Sequence, residues 1–190
     1  GVVTAIANGV STKIGVECFI SNIDRTLTAE CEVIVNEENY PYMYIQTLEN
    51  DTEISFSVNT LTYSVNGRNW NNTLGTDTTI SIGGPTRVYF KATGLGITNE
   101  NGIGTFSVSK PFNAGGNIMS LILGDDYDSH LNGNFDTTLL KPYMFKGLFK
   151  NCTTLQRVSR NFLPLTKVPS YCYYETFSGC SSLKNTPELP

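Results

Sequence analysis

Charged side chains are scarce in this chain. Asp, Glu, Lys and Arg make up 16% of its 190 residues, against about 25% in a typical soluble protein. Asn, Thr, Ser and Gly take their place, and these residues favour turns and strands over long helices. Helix-forming runs rich in Ala, Glu, Lys and Leu are almost absent. The composition therefore indicates strands and turns rather than long helices.

The features that nucleic-acid-binding and membrane-spanning proteins require are also missing. A phosphate-binding face needs clustered Lys and Arg, but the 13 in this chain are scattered and the formal net charge is −4. Lys146 and Lys150 lie close together, and an ordinary solvated surface explains them. No apolar run approaches the roughly 18 residues that would cross a bilayer. We therefore predict no nucleic-acid partner and no membrane span.

His130 is the only histidine in the sequence. Histidine is the usual base of a catalytic triad and a common ligand of zinc, so neither kind of site is favoured. A catalytic triad needs a base beside its nucleophile, and Ser129 is adjacent to His130 only in sequence. No C-x-x-C motif occurs, so a structural zinc site is not expected. The 17 acidic residues allow many pairs of carboxylates, but their spacing singles out no glycosidase pair.

The tightest acidic cluster consists of Asp125, Asp126 and Asp128. Carboxylates on one loop can supply some of the roughly six to eight oxygens that Ca²⁺ takes. A D-x-D-x-D-G loop with a distal Glu is absent, so we interpret the cluster as a solvated turn between domains. The sequence thus assigns no catalytic, cofactor-binding or metal-binding residue and no cofactor. We predict that the protein is not an enzyme.

The five cysteines are an odd number, so they cannot all pair within the chain. Cys18 and Cys31 lie on two adjacent predicted strands and could form a disulfide. Cys152 and Cys180 occupy equivalent positions of an internal repeat, where cysteine acts as a small apolar residue in a core. We expect this second pair to be buried free thiols.

The hydrophobic pattern divides the chain into three regions. Residues 1–41 are predicted to form a short β-strand region, either the tail of a preceding domain or extra strands. Residues 42–124 are predicted to form an antiparallel β-sandwich, because short apolar runs are separated by Gly, Pro and Asn at roughly 8–12 residue spacing. Residues 125–190 are predicted to form a linker or cap followed by truncated leucine-rich repeats.

Alternating apolar and polar residues mark the individual strands. In the first region the alternation covers residues 13–20 and 30–36. In the second region the predicted strands are residues 42–47, 53–58, 61–65, 78–82, 87–91, 102–108 and 118–123. The dipeptide Asn66-Gly67 predicts a hairpin with a type I′ turn, whose two central residues need positive φ. Trp70 is expected to pack across that hairpin.

A repeat at the C-terminal end is the strongest signal in the chain. Four residues recur 28 positions later: Tyr143, Phe149, Cys152 and Leu155 become Tyr171, Phe177, Cys180 and Leu183. A period in the twenties with a leucine-rich pattern indicates a solenoid. One such repeat cannot bury its own apolar face, so neighbours must stack. We expect the β-domain to cap the N-terminal end of the stack, and the chain to have been cut from a longer array.

Several blocks together resemble one group of known proteins. The blocks are YMYIQTLENDTEISF, TLTYSVNGRNW, VYFKA, GNIMSLILGDDY and the two F-x-x-C-[TS]-x-L repeats, and they cover residues 42–190. They are similar to BspA-like leucine-rich-repeat surface proteins of Bacteroides-type gut bacteria. The resemblance implies an extracellular, often lipid-anchored protein that adheres to components of the host or of neighbouring cells. Phages of these bacteria carry similar modules on their virion fibres.

The aromatic residues of the repeats are the best candidates for contacts with a partner, because exposed aromatics bind sugars and proteins. Tyr143, Tyr171, Phe149 and Phe177 repeat in register, so we expect them to fill the core. Tyr174 has Lys146 as its counterpart and is the better candidate for an exposed contact.

These observations favour a non-enzymatic extracellular adhesion module at the bacterial cell surface. The solenoid would present a repeated surface to a host or bacterial surface protein or glycan, with the β-domain as spacer and cap. The alternative is a structural subunit of a phage fibre or cell-envelope appendage, which would place the chain at the virion surface and make it a homo-oligomer. A carbohydrate-active enzyme is the least supported hypothesis.

Overall fold

The computed structural model describes residues 42–57, 59–70, 73–76, 78–93, 102–127, 140–165 and 167–189, and the backbone of residues 13–20 and 25–32. The chain forms two compact units, Gly1–Asn39 and Tyr40–Pro190. In the first unit, β1 (Lys13–Ile20) pairs antiparallel with β2 (Arg25–Glu32). β1 matches its predicted strand, whereas β2 begins at Arg25, before the predicted start at Glu30.

The register of this pair argues against a disulfide between Cys18 and Cys31. Cys18 lies opposite Leu27, and Cys31 lies opposite Ile14. The two cysteines are therefore offset by four positions along the strands, or about 13 Å at roughly 3.3 Å per residue. A disulfide requires Cα atoms within about 7 Å. The bridge that the sequence allowed does not fit this backbone.

The second unit is mainly β, with one short helix among the described residues. Its strands are β3 (Met43–Thr47), β4 (Thr52–Phe56), β5 (Leu61–Ser64), β6 (Thr73–Leu74), β7 (Thr79–Ile82), β8 (Arg87–Ala92), β9 (Phe106–Val108), β10 (Phe112–Gly115) and β11 (Leu155–Val158). A six-stranded sheet has the order β11-β10-β3-β8-β5-β6, and a three-stranded sheet has the order β7-β4-β9. The pair β10–β11 is parallel, and the other pairs are antiparallel.

Both sheets contribute side chains to one hydrophobic core. Alternate residues of β4 are buried, as are alternate residues of β8, because each strand turns one face to the core. The ring of Phe90 on the six-stranded sheet meets the ring of Phe106 on the three-stranded sheet edge-on, with centroids 5.0 Å apart. This arrangement is compatible with a β-sandwich.

The predicted strand at residues 118–123 is wrong. Ser120–Leu123 forms the helix α1, and a 3₁₀ turn follows at Gly124–Asp126. All four residues of α1 are buried, and a short apolar run without polar alternation cannot be assigned to strand or helix by periodicity. Ser120 holds α1 against the six-stranded sheet: its hydroxyl accepts from the Met43 N–H at 2.9 Å and donates to the Phe90 carbonyl at 3.0 Å.

The hairpin predicted at Asn66-Gly67 exists, but its turn type is wrong. β5 pairs with β6, so the connection runs from residue 65 to residue 72 rather than through two residues. Gly67 has φ +69°, whereas Asn66 is not among the residues with positive φ. Instead, the Asn66 side-chain oxygen accepts from the N–H groups of Arg68 and Asn69 at 2.9 and 2.8 Å. An Asx turn thus replaces the type I′ turn.

Two equivalent segments lie side by side at the C-terminal end: a first repeat (residues 143–161) and a second repeat (residues 171–189). From Tyr143 to Asn151, every second N–H donates to a carbonyl of the second repeat or of Ser170, which directly precedes it. The bonds are Tyr143 to Ser170, Phe145 to Cys172, Gly147 to Tyr174, Phe149 to Thr176 and Asn151 to Ser178, at 2.7–3.3 Å. The intervening N–H groups, from Lys146 to Cys152, donate three residues back within the first repeat.

The two repeats share one backbone geometry as well as one sequence pattern. Positive φ values occur at the same positions in both: Tyr143, Gly147 and Asn151 at 62–63°, and Tyr171, Glu175 and Gly179 at 56–79°. Each repeat therefore turns at every fourth residue. Only the third of these positions has glycine or asparagine in both repeats, so the composition alone did not reveal this regularity.

The first repeat also joins the sheet region. Its carbonyls at Met144 and Leu148 accept from the N–H groups of Ile103 and Phe106, at 3.0 and 2.8 Å. Farther along, β11 pairs with β10 and becomes the edge strand of the six-stranded sheet. The first repeat therefore lies between residues 103–114 on one side and the second repeat on the other.

Candidate functional site

Three tyrosines, one half-buried and two exposed, form a strip on the outer surface of the two repeats. The rings of Tyr143 and Tyr171 stack in parallel, with centroids 5.0 Å apart and an interplanar angle of 4°. Tyr174 stands perpendicular to Tyr171, with centroids 5.9 Å apart. Tyr171 is 61% exposed and Tyr174 is 47% exposed. We name Tyr143, Tyr171 and Tyr174, together with Lys146, the tyrosine strip.

Lys146 adds a cation to the tyrosine strip. Its ammonium lies 5.3 Å from the centroid of Tyr143 and 6.0 Å from that of Tyr174, within the range of cation–π attraction. Beside it, the Lys150 ammonium pairs with the Glu175 carboxylate at 2.7 Å, and this pair raises the pKa of Lys150. The strip thus offers aromatic edges, phenolic hydroxyls and one cation that no carboxylate pairs with among the described residues.

The structure partly overturns the prediction for the four repeated aromatics. Phe149 is fully buried and Phe177 is half-buried against the same core, as expected. Tyr143 is only half-buried and Tyr171 is exposed, so the prediction of core positions is wrong for Tyr171. Repetition in register showed that these tyrosines face the same way but not which way. The exposed position predicted for Tyr174 is confirmed.

A column of phenylalanines links the repeats to the sheets. The ring of Phe149 stacks on Phe106 at 5.6 Å and on Phe177 at 6.1 Å. Phe112 and Phe162 flank it at 5.9 Å. A packed interior therefore runs without interruption from the sheet region into both repeats.

The cysteines of the repeats are free thiols that hydrogen-bond to backbone carbonyls. The Cys152 thiol donates to the Phe106 carbonyl, and the Cys180 thiol donates to the Phe149 carbonyl, both at 3.0 Å. Cys152 is buried and Cys180 is half-buried. Burial raises the pKa of Cys152 and that of Cys172 to about 12. These thiols have the environment of structural residues and not of nucleophiles, whose pKa is lowered.

Alkylation by iodoacetamide should be much slower at Cys152 and Cys172 in the folded protein than in urea. Only the thiolate reacts, and raising the pKa from 9 to about 12 reduces the thiolate fraction near neutral pH about a thousandfold. The native rate should keep rising about tenfold per pH unit beyond pH 9, whereas the rate in urea should level off. Mass spectrometry of the labelled peptides gives both rates. Equal rates in the two states would contradict the burial of these thiols.

Within the acidic cluster, Asp125 is engaged in contacts with neighbouring side chains. Asp125 accepts from the Tyr42 hydroxyl and pairs with the Lys91 ammonium, both at 2.7 Å. The bond from Lys91, followed by that from Tyr42, lowers the pKa of Asp125. Lys91 also lies 4.2 Å from the ring centroid of Trp70. The ion pair between Lys91 and Asp125 connects β8 to the 3₁₀ turn that follows α1, and the Lys91 ammonium lies over one face of the indole of Trp70.

The remaining candidates from the sequence fall partly outside the described residues. Asp128, Ser129 and His130 lie there. Within the described ranges, no group of three or more His, Cys, Asp or Glu side chains could hold a metal ion. A search of the same ranges for a helix long and apolar enough to cross a membrane finds none.

Comparisons with protein-family models, with curated proteins and with solved structures find no match to this chain.

Proposed function

We propose that this chain is a non-enzymatic, extracellular binding module whose repeats begin a leucine-rich-repeat solenoid of the BspA-like kind. The tyrosine strip is the surface that contacts a protein or glycan partner, and the sheet region is its spacer and cap. The observation that supports this most is that stacked tyrosines lie beside a lysine with which no carboxylate of the described residues pairs. Tyrosine gives large contact area at low entropic cost, and it is enriched at binding hot spots.

The backbone bonds support the assignment of spacer and cap. On one side of the first repeat, backbone N–H groups of residues 103–114 donate to its carbonyls. On the other side, its own N–H groups donate to carbonyls of the second repeat. In a stack of repeats the first member needs a partner that satisfies its outer groups. The hydroxyl of Thr105 adds a further bond, donating to the Gly147 carbonyl at 2.9 Å. The sheet region therefore supplies what a preceding repeat would supply.

The test is a screen of the full chain against immobilised extracellular-matrix proteins and a glycan array. We expect at least one ligand to bind the native chain, and the double variant Tyr171→Ala/Tyr174→Ala to bind it about tenfold or more weakly, as loss of a hot spot does. Both rings are exposed, so the variant should keep its fold, which circular dichroism can verify.

Val65→Ala is the matched control for this screen. Val65 is also a large exposed apolar residue, 46% accessible, but it lies on the loop after β5 in the sheet region. Its replacement should leave binding unchanged. If a ligand binds the double variant and the native chain with equal affinity, the tyrosine strip is not the binding surface. Failure of every protein and glycan to bind the native chain would refute the proposal as a whole.

A further inference from the structure

The tyrosine strip is an array of four side chains at two equivalent positions of the repeats. Tyr143 and Tyr171 occupy the first position, and Lys146 and Tyr174 occupy the second, three residues farther along the chain. The rings at the first position stack in parallel, whereas Tyr174 stands perpendicular to Tyr171. The array therefore combines three aromatic rings with a single positive charge.

The two stacked tyrosines have a backbone conformation that disfavours bulky residues. Their φ angles are 62° and 58°, in the left-handed region, where residues other than glycine, asparagine and aspartate are uncommon. At the other two turn positions at least one repeat has glycine or asparagine: Gly147 at one, Asn151 and Gly179 at the other. Tyr171 is 61% exposed, so core packing does not account for a tyrosine at this position. Strained backbone of this kind collects at sites that hold ligands.

The charge of the strip favours an anionic ligand. No carboxylate among the described residues pairs with Lys146, and the Glu175 carboxylate is already paired with the Lys150 ammonium at 2.7 Å. The cation–π contacts of Lys146 with two tyrosine rings satisfy none of its three N–H donors. The chain as a whole carries a formal charge of −4, so its net charge does not attract anions. Recognition of an anion would therefore depend on Lys146 itself.

The exposure of the rings favours a sugar over a protein side chain. An anchor residue of a protein partner usually fills a desolvated pocket, whereas Tyr171 and Tyr174 are 61% and 47% exposed. Exposed tyrosines present ring faces on which the C–H groups of a pyranose pack, and hydroxyls that bond to those of the sugar. The two perpendicular rings, with centroids 5.9 Å apart, can contact one sugar ring on its face and on its edge.

We propose that the tyrosine strip binds an acidic sugar, a pyranose unit that carries one carboxylate or sulfate group. The sugar ring packs against Tyr171 and Tyr174, and its anionic group pairs with the Lys146 ammonium. This inference rests on the proposed function, because it names the ligand class of the same surface. It makes Lys146 the residue that distinguishes acidic sugars from neutral ones.

The test compares charged polysaccharides with their neutral counterparts. Polygalacturonate carries carboxylates, and its fully methyl-esterified form has the same sugar without the charge. Dextran sulfate and dextran are the corresponding pair for sulfate, and polyglutamate carries carboxylates without sugar rings. In calorimetric titrations of the full chain, at least one charged polysaccharide should bind about tenfold or more tightly than its neutral counterpart and than polyglutamate. The charged polysaccharide that binds more tightly identifies the anion.

Three variants assign the binding to individual side chains. Lys146→Gln should lower the affinity for the charged polysaccharide about tenfold and abolish the preference over the neutral one. Tyr171→Gly should weaken binding by a similar factor, and because glycine accepts positive φ, the loss reports the ring and not the backbone. Lys110→Gln is the matched control: it removes the same charge from a lysine that bonds to the Asn50 carbonyl in the sheet region, and it should leave the affinity unchanged. Melting temperatures verify the fold of each variant.

Equal binding of the neutral counterparts, or of polyglutamate, would overturn the proposal. Equal losses in Lys146→Gln and Lys110→Gln would also overturn it, because the attraction would then be general and not local. The proposed function fails separately, when no protein or glycan binds the native chain in the screen. The acidic-sugar proposal fails alone when a ligand from the screen needs the tyrosines but no charged polysaccharide binds.

Discussion

Replacing Phe149 by Ala is expected to lower the free energy of unfolding by about 3 to 5 kcal/mol, as for other buried phenylalanines. Phe149 is fully buried, and its ring meets four others: Phe106, Phe112, Phe162 and Phe177. Two of these rings belong to the sheets and two to the C-terminal region. The resulting cavity would therefore weaken the junction between the sheets and the repeats. Because rings from both regions surround it, neither region can fill the cavity by moving alone.

Phe177→Ala is the matched control for this prediction, because Phe177 occupies the same position in the second repeat. It is only half-buried, so its removal should cost about 1 to 2 kcal/mol, in proportion to the apolar area that it buries. Urea denaturation followed by fluorescence and by circular dichroism gives both values. A larger loss for Phe177→Ala than for Phe149→Ala would contradict the packing described for the column of phenylalanines.

Gly116→Ala should be at least as damaging, with an expected loss of about 3 kcal/mol or more through backbone strain and steric conflict. Gly116 has φ +76°, a region that residues with a side chain rarely adopt. A Cβ atom at this position would lie 2.0 Å from the Tyr42 carbonyl oxygen and 2.8 Å from its carbon. Backbone atoms next to β3 cannot move aside without disturbing the pairing of β3 with β10.

Gly83→Ala provides the comparison at a position without these constraints. Nothing lies within 4 Å of a Cβ built on Gly83, and its φ is not positive. This substitution should change the free energy of unfolding by no more than about 0.5 kcal/mol. Thermal unfolding of the two variants beside the native chain measures the difference. A stable, natively folded Gly116→Ala protein would show that the close approach of Gly116 to Tyr42 is not required.

Alternation in the sequence was sufficient to locate the strands that have one buried face. β3, β4, β5, β7 and β8 lie within a residue or two of their predicted ranges. β10 (Phe112–Gly115) was missed because its sequence, FNAG, contains an asparagine and a glycine that disfavour strands. Its place in the sheet depends on pairing with β3 and β11, which are distant in sequence. Tertiary contacts of this kind leave no local signal.

The repeat predicted which positions are equivalent but not how the backbone turns at them. Tyr143 and Tyr171 take positive φ without being glycine or asparagine, and Glu175 does the same. Gly147 lies four residues before the position that Asn151 and Gly179 share in the two repeats, and that spacing was a signal that could have been used. The outward direction of Tyr171 follows from this backbone, so it could not be inferred from the sequence pattern alone.

The pairing of β10 with β3 has a consequence for how the protein is made. These strands are far apart in the chain, and contacts between distant residues form late because a long loop must close first. The first repeat has no surface to lie on until residues 103–114 are in place, since one repeat cannot bury its own apolar face. We therefore expect the strands up to β10 to associate before the first repeat packs against residues 103–114 and adds β11 to the sheet.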